Sequence, residues 1–234
     1  MKHIHLDECH STQEYLKVQA EQGLITYPAM VSTEHQTNGI GRRGNSWTDL
    51  GGALCFSALF PLKNTPTIIP LEMGTYLIQF FKAQWGVSLY LKWPNDILNA
   101  KNQKVGGILI HKLQDVLVIG IGLNLFEQDK KAALKAEYPV GYIFEDELNQ
   151  FSKKNISLNI YRALLKEFER NQFTKEQWNK SCIHLNKSVT LTDDNKSHTG
   201  IFIGINADGA AMINIGDEIK TFYTGNLRLS DRQK

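Results

Sequence analysis

The residue types best able to do chemistry fall in four short segments. The first is Gly39-Ile40-Gly41-Arg42-Arg43-Gly44-Asn45-Ser46-Trp47, two guanidiniums set among glycines. Glycines leave backbone N–H groups unobstructed and let a loop close, and arginines grip phosphate oxygens in a fork. The combination suits a polyanion held under a mobile lid. Taken alone, it also fits a solvated surface loop. The segment matches G-x-G-x-x-G literally and falls one residue short of a Walker A loop, because Asn45 stands where a lysine is needed. Both of those loops require a helix to begin at once, so that its N-terminus meets the phosphate. Here Thr48-Asp49-Leu50-Gly51-Gly52 and then a strand-like run follow. No acid lies between Asp49 and Glu72 to hold the ribose of a dinucleotide, so both readings are set aside.

The second segment is Lys92-Trp93-Pro94-Asn95-Asp96, which puts a cation and a carboxylate near the end of an apolar strand, where sites are commonly assembled. The third, Lys104-Val105-Gly106-Gly107-Ile108, carries a lysine into a strand whose two glycines allow a close approach to the backbone. The fourth, Gly120-Ile121-Gly122-Leu123-Asn124, repeats the glycines and ends in an amide able to donate and accept. Each also fits ordinary strand and turn structure. His111, His184 and His198 have no partners at ligand spacing, and Cys9-His10 is adjacent only in sequence, which does not join a thiol to a base.

Several elements must position these groups. Ser11 with Glu14 is a capping-box pattern, which predicts a helix over 12–22 with Gly23 as its stop. Residues 27–34 read as extended, and the apolar run 53–60 as a buried strand. Residues 70–84 read as a helix ending at Gly86, and 88–93 as a strand closed by the breaker Pro94-Asn95-Asp96. Runs at 105–110 and 116–125 predict a hairpin turning at Gln114-Asp115, and 158–170 is an amphipathic helix with Ile160, Leu164, Leu165 and Phe168 on one stripe. After Cys182 come short strand-like runs at 188–191, 200–205, 210–215 and 219–223, with turn chemistry at Asn206-Ala207-Asp208-Gly209. This β-rich tail is too small to be stable alone and should lean on the first domain.

Composition bounds the rest. The chain has 234 residues, of which 42% are hydrophobic and 21% charged, so it is a folded globular chain rather than a disordered one. Lys+Arg total 26 against 24 Asp+Glu, a net charge of +2 that argues against bulk nucleic-acid binding. Three dispersed cysteines fit neither a zinc knuckle nor a closed disulfide framework, and suit idle thiols in a reducing cytoplasm. The first residues lack the apolar stretch of a secretory signal, and no run approaches the ~18 apolar residues of a membrane span.

In this order, the segments resemble the biotin–protein ligase family, also called biotin–[acetyl-CoA-carboxylase] ligase. The matching residues are Ser11-Thr12-Gln13, Gln36 through Trp47, Lys92 through Asp96, Lys104 with Gly106-Gly107-Ile108, and Gly120 through Asn124. The resemblance implies an α+β fold: a class II aminoacyl-tRNA synthetase-like mixed sheet flanked by helices in residues 1–184, and a small SH3-like β-barrel in 185–234. It implies that biotin and Mg-ATP give biotinyl-5′-adenylate and pyrophosphate, and that biotin then passes to a lysine of a biotin carboxyl carrier domain, that of acetyl-CoA carboxylase or of another biotin-dependent carboxylase. By resemblance, Lys104 lies between the biotin carboxylate and the phosphate, with Arg42, Lys92 and Asp96 beside the reaction. Ser11, Thr12, Gln13 and Gln36 would bind the ureido ring. Gly39, Gly41, Arg43 and Gly44 would form the lid, Trp47 would pack on adenine, and Asn124 would read its edge. Gly106, Gly107, Ile108 and Gly122 would line the ligand site, and Arg228 from the tail would help hold phosphate. Mg²⁺ would ride on the ATP phosphates with few protein ligands, and no metal cluster of the protein's own is expected.

The sequence departs from the family loop at Ile40 and Asn45, which replace arginines, and this predicts a looser lid that leaks adenylate. The first motif begins at Ser11, so no preceding DNA-binding domain and no operator binding are expected. Homodimerisation or carrier docking through an exposed edge strand is compatible with the pattern. Two rivals remain at this point. A lipoate or octanoate ligase would want a long apolar tunnel rather than a polar set. A non-catalytic biotin or nucleotide sensor would have no need of Lys104.

Overall fold

A computed structural model describes residues 1–49, 52–63, 65–128, 139–146, 152–193 and 196–230. A seven-stranded mixed sheet forms the larger part. Its strands are β1 (Lys2–Cys9), β2 (Ala29–Gln36), β5 (Ala53–Pro61), β6 (Tyr90–Lys92), β7 (Asp96–Leu98), β8 (Lys104–Leu113) and β9 (Val116–Asn124), in the order β1-β2-β5-β9-β8-β7-β6. β1 runs parallel to β2, and every other pairing in this sheet is antiparallel. Between β2 and β5 the glycine-arginine loop folds as a small hairpin, β3 (Gly39–Ile40) with β4 (Ser46–Trp47).

Four helices are described: α1 (Thr12–Glu21), α2 (Ile69–Trp85), α3 (Lys153–Arg170) and α4 (Lys175–Ser181). The Ser11 hydroxyl caps α1 by accepting the Glu14 N–H at 3.4 Å. The reciprocal half of the expected capping box is absent, because the Glu14 carboxylate turns to Lys17 at 3.7 Å. α2 ends where predicted, with Gly86 at φ 69. α3 begins five residues before the apolar stripe suggested, because Ser152 caps its first turn.

Strand pleating decides which face builds the site, since successive side chains point to opposite faces. On one face, Phe56, Phe60, Ile119, Ile121 and Leu123 join α2 and α3 in the main core. On the other face, Val31, Leu59 and Val118 pack under Leu16 of α1 in a second cluster. Further along that second face the side chains shrink: Cys55 and Ser57 follow from Leu59, Gly120 and Gly122 from Val118, and Gly122 pairs with Gly107. α1 therefore covers one end of this face and leaves a hollow at the other, and its N-terminal residues Ser11, Thr12 and Gln13 overhang the hollow.

The C-terminal part is a five-stranded antiparallel sheet of β10 (Ser188–Asp193), β11 (Lys196–Ile205), β12 (Ala211–Ile215), β13 (Glu218–Phe222) and β14 (Asn226–Leu229), in the order β13-β12-β11-β10-β14. It does lean on the first part. Val189, Phe202 and Leu227 share the main core with Trp93 and Trp178. The Trp93 indole N–H donates to the Gly209 carbonyl at 3.0 Å, and the Thr67 hydroxyl donates to the Asp208 carbonyl at 2.8 Å. Among the described residues, no helix is long and apolar enough to cross a membrane.

Candidate active site

The hollow is a cavity of about 370 Å³ bordered by α1, the glycine-arginine loop and strands of the large sheet, well within the size range of small-molecule sites. Its inner end is polar. The Thr12 backbone N–H donates to Gln36 Oε1 at 2.9 Å and the Thr12 hydroxyl donates to the same oxygen at 3.3 Å. Thr12 Oγ1 also lies 2.9 Å from Ser57 Oγ. With the Thr12 proton committed to Gln36, the Ser57 hydroxyl donates to Thr12 and keeps lone pairs for the cavity. Gln13 Nε2 donates to the Val118 carbonyl at 2.9 Å, which aims Oε1 over Gly120. That oxygen is buried and has no hydrogen-bond partner among the described residues. Leaving such an acceptor unsatisfied costs about 1–3 kcal/mol, so it is a position waiting for an N–H donor.

The outer end is charged. Asp96 opens β7 directly opposite Lys92, so the expected strand breaker is a hairpin turn. Asp96 Oδ2 pairs with Lys92 Nζ at 3.1 Å and Oδ1 with Lys104 Nζ at 2.7 Å. Burial alone would raise the Asp96 carboxyl, but Lys104 and then Lys92 outweigh it and hold it below its ordinary value. Asp96 is thus an anion that spaces two cations. Arg42 sits above them, its guanidinium donating to Asn95 Oδ1 at 3.4 Å. Burial and then Arg43 depress Arg42, while Asp96 works in the opposite sense. An arginine so perturbed is still a cation at any working pH.

Trp47 forms one wall. A Cβ at Gly122 would lie 2.6 Å from its Cε2 atom, so only glycine allows the indole to lie on the sheet. Lys104 Nζ is 5.9 Å from the Trp47 ring centroid, inside cation–π range. The cysteines supply no nucleophile. Burial, then the charge of Asp49, pushes Cys55 up to about 12, and burial raises Cys9. His10 is bonded to Thr37 Oγ1 at 2.9 Å rather than to Cys9.

Of the residues singled out in the sequence, Ser11, Thr12, Gln13, Gln36, Gly41, Arg42, Arg43, Trp47, Lys92, Asp96, Lys104, Gly107, Ile108 and Gly122 line this cavity. Gly39, Gly44, Gly106, Asn124 and Arg228 are not among its lining residues. Gly39 has a structural reason: a Cβ there would meet Gln36 Nε2 and the Trp47 carbonyl at 2.4 Å each, so glycine lets the loop hairpin lie on Gln36. Gly106 faces the opposite side of the sheet, where a Cβ would lie 2.6 Å from Leu123 Cδ2. Its glycine serves packing. Asn124 is buried at the sheet end and donates to the Gly141 carbonyl at 3.3 Å. Arg228 lines a neighbouring hollow of about 260 Å³ that shares Lys92, Asp96 and Lys104 with the first. Sequence reasoning missed Ser57, the individual part of Asn95, which it named only within its motif, and Asp49. The Asp49 carboxylate accepts the Gln36 N–H at 3.1 Å and so closes the neck of the loop. A lone serine in an apolar strand and a lone acid after the loop gave the first and last away only in hindsight.

The family profile described as Biotin/lipoate A/B protein ligase matches residues 7–124, and the profile of the Biotin protein ligase C terminal domain matches 184–226. The chain is 27% identical over 216 residues to the bifunctional ligase/repressor BirA of Escherichia coli K12, covering 86% of this chain and 66% of that protein. It thus spans just under two thirds of that relative's length. It is 32% identical over 127 residues to the biotin–[acetyl-CoA-carboxylase] ligase of Mycobacterium tuberculosis, covering 49% of this chain and 46% of the other. Among solved structures, the biotin protein ligase of Aquifex aeolicus in complex with biotin and ATP superposes with a TM-score of 0.83 at 26% identity, covering 98% of this chain and 99% of that one.

Proposed function

Because the chain belongs to the Biotin/lipoate A/B protein ligase family, we propose that it is a biotin–[acetyl-CoA-carboxylase] ligase acting through biotinyl-5′-adenylate. The observation that carries this reading is one cavity with an unsatisfied acceptor at its inner end and three converging cations at its outer end. Biotin presents two ureido N–H donors and one carbonyl acceptor at one end of the molecule and a carboxylate at the other. Gln13 Oε1 and Ser57 Oγ take the donors, and Gln36 Nε2 meets the carbonyl. The valeryl chain then runs along the cavity from Gln13 toward Lys104.

The carboxylate attacks the α-phosphate of ATP, and pyrophosphate leaves. Two anions must meet, so the site must neutralise charge that concentrates in the transition state. Lys104 sits between carboxylate and phosphate, Arg42 covers the phosphate oxygens, and Lys92 adds to the field. Trp47 stacks on the adenine. Mg²⁺ would come with ATP and supply charge neutralisation at its phosphates; Asp96, the nearby carboxylate, has both oxygens on lysines, so the metal's oxygen donors would be those of the nucleotide.

In the second step the neutral amine of a carrier lysine attacks the acyl carbonyl, an amide forms, AMP leaves with charge that Lys104 and Arg42 stabilise, and the nitrogen's proton passes to the departing phosphate or to water. Asp96 has both oxygens engaged and a carboxyl below its ordinary value, so its part is to orient Lys92 and Lys104 rather than to take the lysine's proton. The division of labour is a catalytic part in residues 1–184 and a C-terminal part in 185–234. The partner is a biotin carboxyl carrier domain, and the compartment of the reaction is the cytoplasm.

Mass analysis of a carrier domain incubated with the protein, ATP and biotin or lipoate tests this. One added biotinyl group per carrier is expected. A gain with lipoate alone, or with neither acid, overturns the proposal.

A further inference from the structure

Arg42 and Arg43 look equivalent in the sequence, but they point to different parts of the molecule. Arg42 stays over the cavity against Asn95. Arg43 has φ 55, a left-handed backbone that side-chain-bearing residues rarely adopt. The reversal turns its guanidinium away from Arg42 and onto the C-terminal sheet. There Nη2 pairs with Asp193 Oδ1 at 3.1 Å and donates to the Thr224 hydroxyl. Asp193 ends β10, and Thr224 stands beside Gly225 and Asn226, which border the cavity.

The loop behind Arg43 is braced by its own backbone hydrogen bonds. Gly39 pairs with Trp47 and Ile40 with Ser46, the Gly41 N–H donates to the Asn45 carbonyl at 2.7 Å, and the Asn45 N–H to the Arg42 carbonyl at 3.1 Å. Fixing the tip of such a hairpin fixes Arg42 and Trp47 with it. We propose that Asp193 and Thr224 are positioning residues that fasten the glycine-arginine loop through Arg43, leaving Arg42 as the loop cation that faces the ligand. Such a latch preorganises the lid and couples the second sheet to adenylate retention. The effect on ligand rests on the ligase reading; the effect on the loop does not.

The test uses the full chain with Asp193→Asn, Thr224→Val and the conservative Asp193→Glu. Hydrogen exchange of amides 39–47 without ligand should be about two- to fivefold faster in Asp193→Asn, the range of a partly exposed ion pair. Thr224→Val should show a smaller increase, and Asp193→Glu should restore most of the protection. In biotin-dependent pyrophosphate exchange, kcat should change less than KM for ATP, and trapped biotinyl-adenylate should escape faster by a similar factor. Wild-type exchange rates in the loop of both Asp193→Asn and Thr224→Val overturn the latch. A loop that loosens in a protein showing no biotin-dependent exchange at all upholds the latch and overturns the ligase reading instead.

Discussion

The cations of the site come from two regions that hold them in opposite ways. Lys92 and Lys104 stand on adjacent β-hairpins and share one carboxylate, Asp96, at 3.1 and 2.7 Å, so their spacing is set within the sheet. Lys104 is further clamped through its backbone, which donates to the Pro139 carbonyl and accepts from the Gly141 N–H. Arg42 and Arg43 stand on a loop whose tip is exposed, carries two consecutive positive-φ residues and is held from another sheet. The difference teaches where preorganisation resides: the two lysines are fixed within ladders of one sheet, and the two arginines are carried on a hairpin fastened from another sheet.

The largest expected effect falls on the sheet-borne set. Lys104→Ala should cost about 2.7–4 kcal/mol in adenylate formation, a hundred- to thousandfold, by analogy with removing one transition-state donor. Single-turnover formation of biotinyl-adenylate measures it. If Arg42→Ala proved the more damaging of the two, the contrast between ladder and loop would be broken.

Asp96→Asn comes next. It keeps the shape and removes the charge that separates two lysines. The pair is partly buried, so the loss of stability should be about 1–3 kcal/mol, seen as a fall of several degrees in Tm. Asp193→Asn should move Tm far less, since both partners of that bridge meet solvent. Equal shifts would erase the distinction between an internal clamp and an external latch.

How much of this was legible in the sequence follows the same divide. The strand at 53–61, the hairpin of β8 and β9 and the apolar stripe of α3 are read from local pattern, because burial imposes a period that the sequence must obey. β1 was missed: Lys2-His3-Ile4-His5-Leu6-Asp7 is a half-exposed edge strand whose only strand partner among the described residues is a parallel one 27 residues on. β7 and the short helix α4 were missed because a three-residue strand and a seven-residue helix carry too few positions to show a period. In the site, motif order pointed to Lys92, Asp96 and Lys104 together. The opposite facings of Gly106 and Gly107, the parting of Arg42 from Arg43 and the part of Ser57 depend on pleat and pairing, and no single segment contains them.

The junction between the two regions is the contact of Trp47 with the sheet. Gly122→Ala places a methyl 2.6 Å from the indole, so the ring must move. Overpacking of this kind costs about 1–3 kcal/mol. The cost should appear as a raised KM for ATP with kcat for adenylate formation less affected, because the sheet-borne lysines stay in place. Gly107→Ala is the matched control. Its Cβ would meet Lys104 and Trp47 only at 3.8 Å, ordinary contact, and nucleotide binding should change little. A similar rise in both variants would mean that the wall is not Trp47 against Gly122.

The smallest effect expected near neutral pH is also the sharpest check on the internal clamp. Burial pushes the Asp96 carboxyl up from its ordinary value of 3.8, but Lys104 and Lys92 more than reverse this, so it is depressed in the folded protein. A depressed carboxyl adds stability that is complete above the unfolded value and is lost as pH falls through the folded one. The Tm gap between the wild type and Asp96→Asn should therefore stay constant from pH 8 to pH 5 and begin to close only below about 4. Paired melting curves across that range measure the gap directly. A gap that closed between pH 7 and pH 5 would mean that Asp96 takes up a proton there, with its lysines free to part, and the ladder would then hold its charges no more firmly than the loop does.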